Sequence, residues 1–331
     1  LKQTPASFSI LNAKKVNEVA SYRALSFDEL DLKRLQAEKT RRNALQAMLF
    51  VFPGLLFLAV FTWWPLVETV SLSFWQWNMV SPVKKWLGLA NYLNLTSNRE
   101  FWLALRHTFE YVALLLGLNV ILPYICAFGV VRAIRRGQDF YKTTIFLPSM
   151  LSLSVASLIF LWIFNPLAGP VGEVMRRIGL DTIDWLRSPS WVVVALAVIT
   201  AWKCFGYNFI VLLSGLMAVP RELVEAARLD GMTNRQLFLK LMLPLSSSTA
   251  LYVGVVTVVM GLQYVFVPIH MLTNGGPDQG STNLVFYIYQ IAFQFFQTGR
   301  AAACAVLTMI IFTVLVILQG RVAERKVYYE N

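Results

Sequence analysis

Long stretches without a single Asp, Glu, Lys or Arg constrain this chain more than any other feature. They run over 43–67, 111–131, 143–172, 241–277 and 301–320, and a sixth, 188–220, is interrupted only by Lys203. A helix that crosses a bilayer needs about 20 mostly apolar residues, because its backbone must satisfy its own hydrogen bonds where water is absent. Charged residues make up 14% of the chain and hydrophobic residues 57%, against about 25% charged in ordinary soluble domains. The predicted fold is therefore an all-α integral membrane protein. Six transmembrane helices are expected, at 45–72, 107–131, 143–164, 191–217, 245–272 and 298–320. The fifth run is longer than one span, and the turn formers of "LTNGGPDQGST" set its end near Leu272. The apolar but short 283–297 reads as an interfacial or re-entrant helix.

The net charge of +11 raises the question of nucleic acid, but the basic residues mostly flank the apolar runs, as the positive-inside rule requires. With both termini on one side, that side carries twenty Lys and Arg and the other eight, Lys203 standing apart inside a span. Both termini are thus expected in the cytoplasm, with no nucleic-acid partner. The first 40 residues are polar and do not read as a signal peptide. The domain organisation is a cytoplasmic tail over 1–44, a membrane domain over 45–320 containing a loop at 219–244, and a cytoplasmic tail over 321–331. "SFDELDLKRLQAEKTRR" reads as an amphipathic helix capped by Ser26 and Glu29. Cys126, Cys204 and Cys304 lie in apolar runs without CxxC spacing, so neither a disulfide framework nor a metal site is expected.

One polar segment stands out between two apolar runs: "ELVEAARLDGMTNRQLFLKLMLP". Pro220 suits the first turn of a helix, and Glu222 and Glu225 lie toward its positive end. Gly231 is a natural stop. Thr233 and Gln236 have capping-box spacing for a second helix, with Leu237, Phe238, Leu241 and Met242 on one face, and Pro244 punctuates the start of the fifth span. The expected loop is helix, glycine corner, helix. That shape suits docking into a cleft of another protein, or a connector resting on the bilayer.

The same residues resemble the coupling-loop signature of ABC importer permeases: E-A-A, three residues, Gly, nine residues, Ile, one residue, Leu-Pro. They are Glu225-Ala226-Ala227, Gly231, Leu241 in the Ile place, and Leu243-Pro244. "GLMAVPRELVEAARLDG", "GLANYLNL", "FLPSMLS", "LTNGGP" and "GRAAACAVL" resemble the carbohydrate-uptake branch, nearest to its six-span glycerol-3-phosphate and sugar permeases. The resemblance spans about residues 48–328. It implies a bacterial cytoplasmic (inner) membrane location, a second homologous permease, two ABC ATPase subunits, a periplasmic solute-binding protein and a sugar-like solute. ATP and Mg would be bound by the ATPases; no G-x-x-x-x-G-K-[ST] occurs in this chain, which therefore has no expected cofactor or catalytic residue. Glu225 would anchor in the ATPase, Ala226 and Ala227 would permit close approach, and Asp230, Gly231 and Pro244 would shape the loop.

By the same resemblance, the positions matching the sugar-contacting residues of the maltose permease are Lys203, Cys204, Tyr207, Thr257, Met260, Gly261 and Tyr264. Lys203 and Tyr207 are i, i+4 neighbours, and Lys203 at mid-span either pairs with an anionic solute or is paired structurally. Gln263 is a polar neighbour outside the aligned set, and His270 is read as a packing residue. The alternative, an ion-coupled secondary transporter, lacks support: Glu68 and Glu110 sit near span ends, and no repeated pattern of broken helices is evident. An enzyme is disfavoured because His107 and His270 are far apart in sequence and no paired carboxylates occur.

Overall fold

The computed structural model describes residues 39–324 except 41, 45 and 134–136. The capping box at Ser26 and Glu29, the tail helix it would start and most of the C-terminal tail lie outside the described residues. The chain divides into one unit up to Glu68 and a second from Thr69 onward.

The first unit's described part is a single apolar helix, α1 (Arg42–Leu72), which continues into the second unit. It is apolar all round, with Phe50, Phe57, Phe61 and Trp64 exposed, the pattern of a helix solvated by lipid or by a partner. A π-type turn occupies Ala59–Trp63, just before Pro65. Proline gives no N–H and its ring collides with the carbonyl four residues back, so the preceding turn widens. The same relation recurs at Gly117–Ile121 before Pro123 and at Leu237–Met242 before Pro244.

The second unit is mostly helical, as expected, with one small hairpin among its described residues, β1 (Trp75–Gln76) paired antiparallel with β2 (Lys85–Trp86). Then follow α2 (Ala90–Thr96), α3 (Arg99–Arg132), α4 (Asp139–Met150), α5 (Leu153–Ile163), α6 (Pro170–Arg177) and α7 (Val192–Met217). After them come α8 (Arg221–Leu229), α9 (234–245), α10 (Ser247–Thr273), α11 (Leu284–Gln294) and α12 (Thr298–Arg321). Helices α1, α3, α7, α10 and α12 are long and apolar enough to cross a membrane.

The expected third span, 143–164, is not one helix. Helices α4 and α5 meet at 98°. The end of α4 tightens into a 3₁₀ turn at Leu147–Met150 containing Pro148, Leu151 is extended, and Ser152 caps α5 by accepting from the Val155 N–H at 3.2 Å. A proline followed by a capping serine is a stop and a restart in five residues. Together the pair is long and apolar enough for one span, broken or re-entrant at the bend. The second span also begins earlier than predicted, at Arg99, where Asn98 accepts from the Glu100 N–H at 2.8 Å.

Helix α7 lies at the centre, with Leu196, Ile199, Phe209 and Leu212 fully buried. Lipid is as apolar as leucine, so close packing rather than water exclusion holds such helices together. Gly206 shows this: a Cβ there would lie 2.5 Å from the Ile145 main-chain oxygen of α4. Helix α11 packs into the protein, with Leu284, Phe286, Tyr287 and Ile291 buried and Phe293 exposed.

Candidate functional site

A cavity of about 380 Å³ opens between α3, α4, α7 and α10. All seven positions nominated for solute contact line it: Lys203, Cys204 and Tyr207 from α7, and Thr257, Met260, Gly261 and Tyr264 from α10. Gly261 keeps α10 against α3, since a Cβ would meet the Leu115 side chain at 2.9 Å. Gln263 does not line the cavity. His270 stacks on Phe266 and meets Tyr289 edge-on at 5.1 Å, a packing role.

Three polar residues of the cavity escaped the sequence reading: Asn119, Ser149 and Asn208. Two of them follow from backbone groups that broken helices leave unpaired. Pro123 has no N–H to offer the Asn119 carbonyl four residues earlier, and Asn208 Nδ2 donates to that carbonyl at 2.9 Å. The kink after Met150 strands the Ser149 carbonyl, and Lys203 Nζ donates to it at 2.5 Å. The Ser149 hydroxyl accepts from the Tyr207 N–H at 3.2 Å. In a bilayer an unpaired carbonyl costs several kcal/mol, so each break acquires a side-chain donor from the neighbouring helix. Asn119 is 1% exposed, and its side-chain oxygen has no protein partner. The signal that would have found Asn119 and Asn208 was an amide inside a span, which is expensive unless used.

The polar loop folds as the sequence predicts. The Gly231 φ is +75°. Its N–H reaches the Arg228 carbonyl and the Met232 N–H the Ala227 carbonyl, both at 3.0 Å, the paired bonds of a helix ended by a left-handed glycine. Thr233 and Gln236 cap α9 reciprocally. Ala227, Leu237 and Met242 are buried with Phe209 and Leu212 of α7, so the loop and the span are one packed body. Ala226 is exposed, but Ala227 faces inward and offers no surface for close approach. Leu229, 89% exposed, was not nominated. A second cavity, of about 410 Å³, lies between α8 and the ends of α3 and α7, where Arg132, Arg221, Glu225 and Arg228 gather. Asp230 is the C-cap of α8 and Pro244 lies in the short helical turn after the widened one.

Residues 119–328 match the family described as binding-protein-dependent transport system inner membrane component. The probable ABC transporter permease YurN of Bacillus subtilis is 32% identical, over 84% of this chain and 96% of its own length. The sn-glycerol-3-phosphate transport system permease UgpA of Agrobacterium fabrum is 29% identical, over 87% of this chain and 97% of its own. Among solved structures, a chain of a bacterial ABC transporter involved in import of the acidic polysaccharide alginate superposes with a TM-score of 0.72 at 22% identity, covering 88% of this chain and 99% of that one. At that identity the likeness is one of fold. With its long apolar helices and a polar loop packed on the central one, the family match over 119–328 and the 32% identity along 96% of a permease lead to one conclusion: the chain belongs to the binding-protein-dependent transport inner membrane component family, the multi-pass permeases of ABC transporters.

Proposed function

We propose that this chain forms half of the translocation pathway of an ATP-driven importer of a sugar-like solute: an oligosaccharide, a disaccharide or glycerol-3-phosphate. The observation that carries the reading is the cavity, in which seven positions chosen from sequence converge beside the mid-span amides Asn119 and Asn208. Tyr207 and Tyr264 offer ring faces for a sugar, and Thr257, Asn119 and Asn208 offer hydrogen bonds in a medium where these are strong. The similar proteins include a glycerol-3-phosphate permease and a chain of an alginate importer, which favours the same solute class.

A periplasmic binding protein would deliver the solute, a second homologous permease would complete the pathway, and two ABC ATPases would bind ATP and Mg. The domain plan is a tail over 1–44, a membrane domain over 45–320 with its loop at 219–244, and a tail over 321–331. Both termini and the loop are placed in the cytoplasm on the distribution of Lys and Arg. Closure of the ATPase dimer would push on Glu225, Ala226 and Leu229. Because Ala227, Leu237 and Met242 pack on α7, that push would reach the helix bearing Lys203, Cys204 and Tyr207.

The test is ATPase stimulation of the reconstituted complex by its binding protein, with glycerol-3-phosphate, a uronate oligosaccharide, maltose and trehalose compared. One of these should stimulate, and Thr257→Trp, which fills the cavity, should abolish solute uptake. Uptake unchanged in Thr257→Trp would sink the cavity as the solute path.

A further inference from the structure

The second unit has a further recess, apart from the solute cavity and the polar loop. It is a cleft of about 900 Å³ between the β1–β2 hairpin, α2 and the start of α12. Asn98, at the start of α3, lines it, while Arg132, at the other end of α3, lines the recess beside the coupling loop. A 34-residue helix is about 50 Å long, so the cleft opens on the opposite membrane face from the loop.

The cleft is rigidly built. Asn91 Nδ2 donates to the Ser73 and Trp75 carbonyls at 2.8 and 3.0 Å, and the Gly299 N–H reaches the Trp77 carbonyl at 3.3 Å. That approach needs glycine, since a Cβ at 299 would overlap the Trp75 carbonyl oxygen. The hairpin is therefore fixed to the N-terminal end of α12, whose dipole brings partial positive charge to the cleft.

Its chemistry is one-sided. Asn78 and Asn98 line it, and both have their side-chain oxygens committed to backbone N–H groups of Ser81 and Glu100, each at 2.8 Å. Their amide NH₂ groups are the uncommitted ends. Lys85 and Arg300 add cations. Arg300 bonds Gln297 Oε1 at 3.2 Å and the Tyr287 hydroxyl at 3.4 Å, while its Nε is buried with no partner. No carboxylate is among the described residues lining the cleft. Trp77 contributes an aromatic wall, with Lys84 Nζ 4.3 Å from its ring centre. A recess of this size with two cations and no carboxylate among its described lining residues calls for an extended ligand bearing negative charge.

We infer that this cleft is a second solute site, outside the membrane, that binds an anionic saccharide through Lys85, the outer edge of the Arg300 guanidinium and the amides of Asn78 and Asn98. It would hold chain ends of an acidic glycan before or during passage. The inference goes beyond the proposed function and does not rest on the membrane cavity.

The experiment titrates the full reconstituted complex in nanodiscs, without its binding protein, with trigalacturonate, maltotriose and glycerol-3-phosphate, following tryptophan fluorescence and calorimetric heat. Saturable trigalacturonate binding is expected, weakened about tenfold by Arg300→Gln, as for one charge-assisted contact. The surface variant Lys85→Gln, which leaves the hairpin anchors in place, should weaken it about threefold, and added salt should weaken it further. Thr257→Trp should leave it unchanged. Absent binding, equal binding of maltotriose, or equal binding of glycerol-3-phosphate would overturn the inference. So would trigalacturonate binding lost in Thr257→Trp but kept in Arg300→Gln and Lys85→Gln, which would place the ligand in the membrane cavity. Cleft variants that abolish binding-protein docking while sparing trigalacturonate binding would make the cleft a protein contact and overturn it as well. A failed Thr257→Trp uptake test would count against the cavity alone.

Discussion

The ammonium of Lys203 lies 2.5 Å from the main-chain oxygen of Ser149, across the boundary between the central helix and the elbow that joins α4 to α5. The elbow exists because Pro148 and Ser152 stop one helix and start another, and the carbonyl it strands needs a donor. Together with the Tyr207 N–H on the Ser149 hydroxyl and the glycine contact at 206, the bond fastens the elbow to α7. Lys203→Ala should therefore lower the midpoint of thermal unfolding in detergent, with a loss of about 1–2 kcal/mol. Uptake should fall alike for neutral and acidic solutes, and Lys203→Arg should restore part of it. Loss confined to acidic solutes, with stability unchanged, would make Lys203 an anion contact instead.

Asn119 gives an opposite pairing of effects. Its buried side-chain oxygen has no partner in the protein, so Asn119→Leu removes an unsatisfied polar group and should raise stability by about 1 kcal/mol. The same change removes a hydrogen-bonding group from the cavity, and solute-dependent uptake should fall about tenfold. A variant that gains stability while keeping full uptake would assign Asn119 no solute role.

At the cavity's aromatic positions, Tyr207→Ala and Tyr264→Ala should each raise the apparent KM for uptake by about 2–10-fold, the range of one aromatic contact. Basal ATPase activity without solute should be unaltered, since neither residue belongs to the polar loop proposed to dock on the ATPases. An unchanged KM in both variants would remove stacking from the recognition scheme.

In the loop, Gly231→Val forces a β-branched side chain into φ +75°, at a cost of about 1–2 kcal/mol. It should uncouple uptake from ATP hydrolysis while leaving the chain in the membrane. Glu225→Lys reverses a charge on the exposed face of α8 and, if that face docks on the ATPase as proposed, should abolish uptake. Ala227→Leu should differ from both: a larger side chain at a buried position should reduce the amount of folded permease, read by detergent-solubilised yield.

Much of this was legible because it is set locally. Gly231, Thr233 and Gln236 act on their own backbone within a few residues, and span length is decided by the need of each helix to satisfy its own hydrogen bonds in lipid. The seven cavity positions were nominated by resemblance, and the structure brings them to one wall. The inward turn of Ala227 was not legible, because the repeat of an amphipathic helix does not say which neighbour it packs on. Neither was the two-residue hairpin, which is held by Asn91 and Gly299 from distant parts of the chain.

The sequence by itself determined which stretches are long and apolar enough for a membrane, where its polar loop turns and which residues disrupt its helices, since Pro, Gly and uncharged length act through the local backbone. Only the tertiary structure decided who repairs those disruptions. Lys203 meets Ser149 and Asn208 meets Asn119 because a stranded carbonyl in a water-free medium takes whatever donor the neighbouring helix presents, and that neighbour is fixed by packing, not by sequence distance.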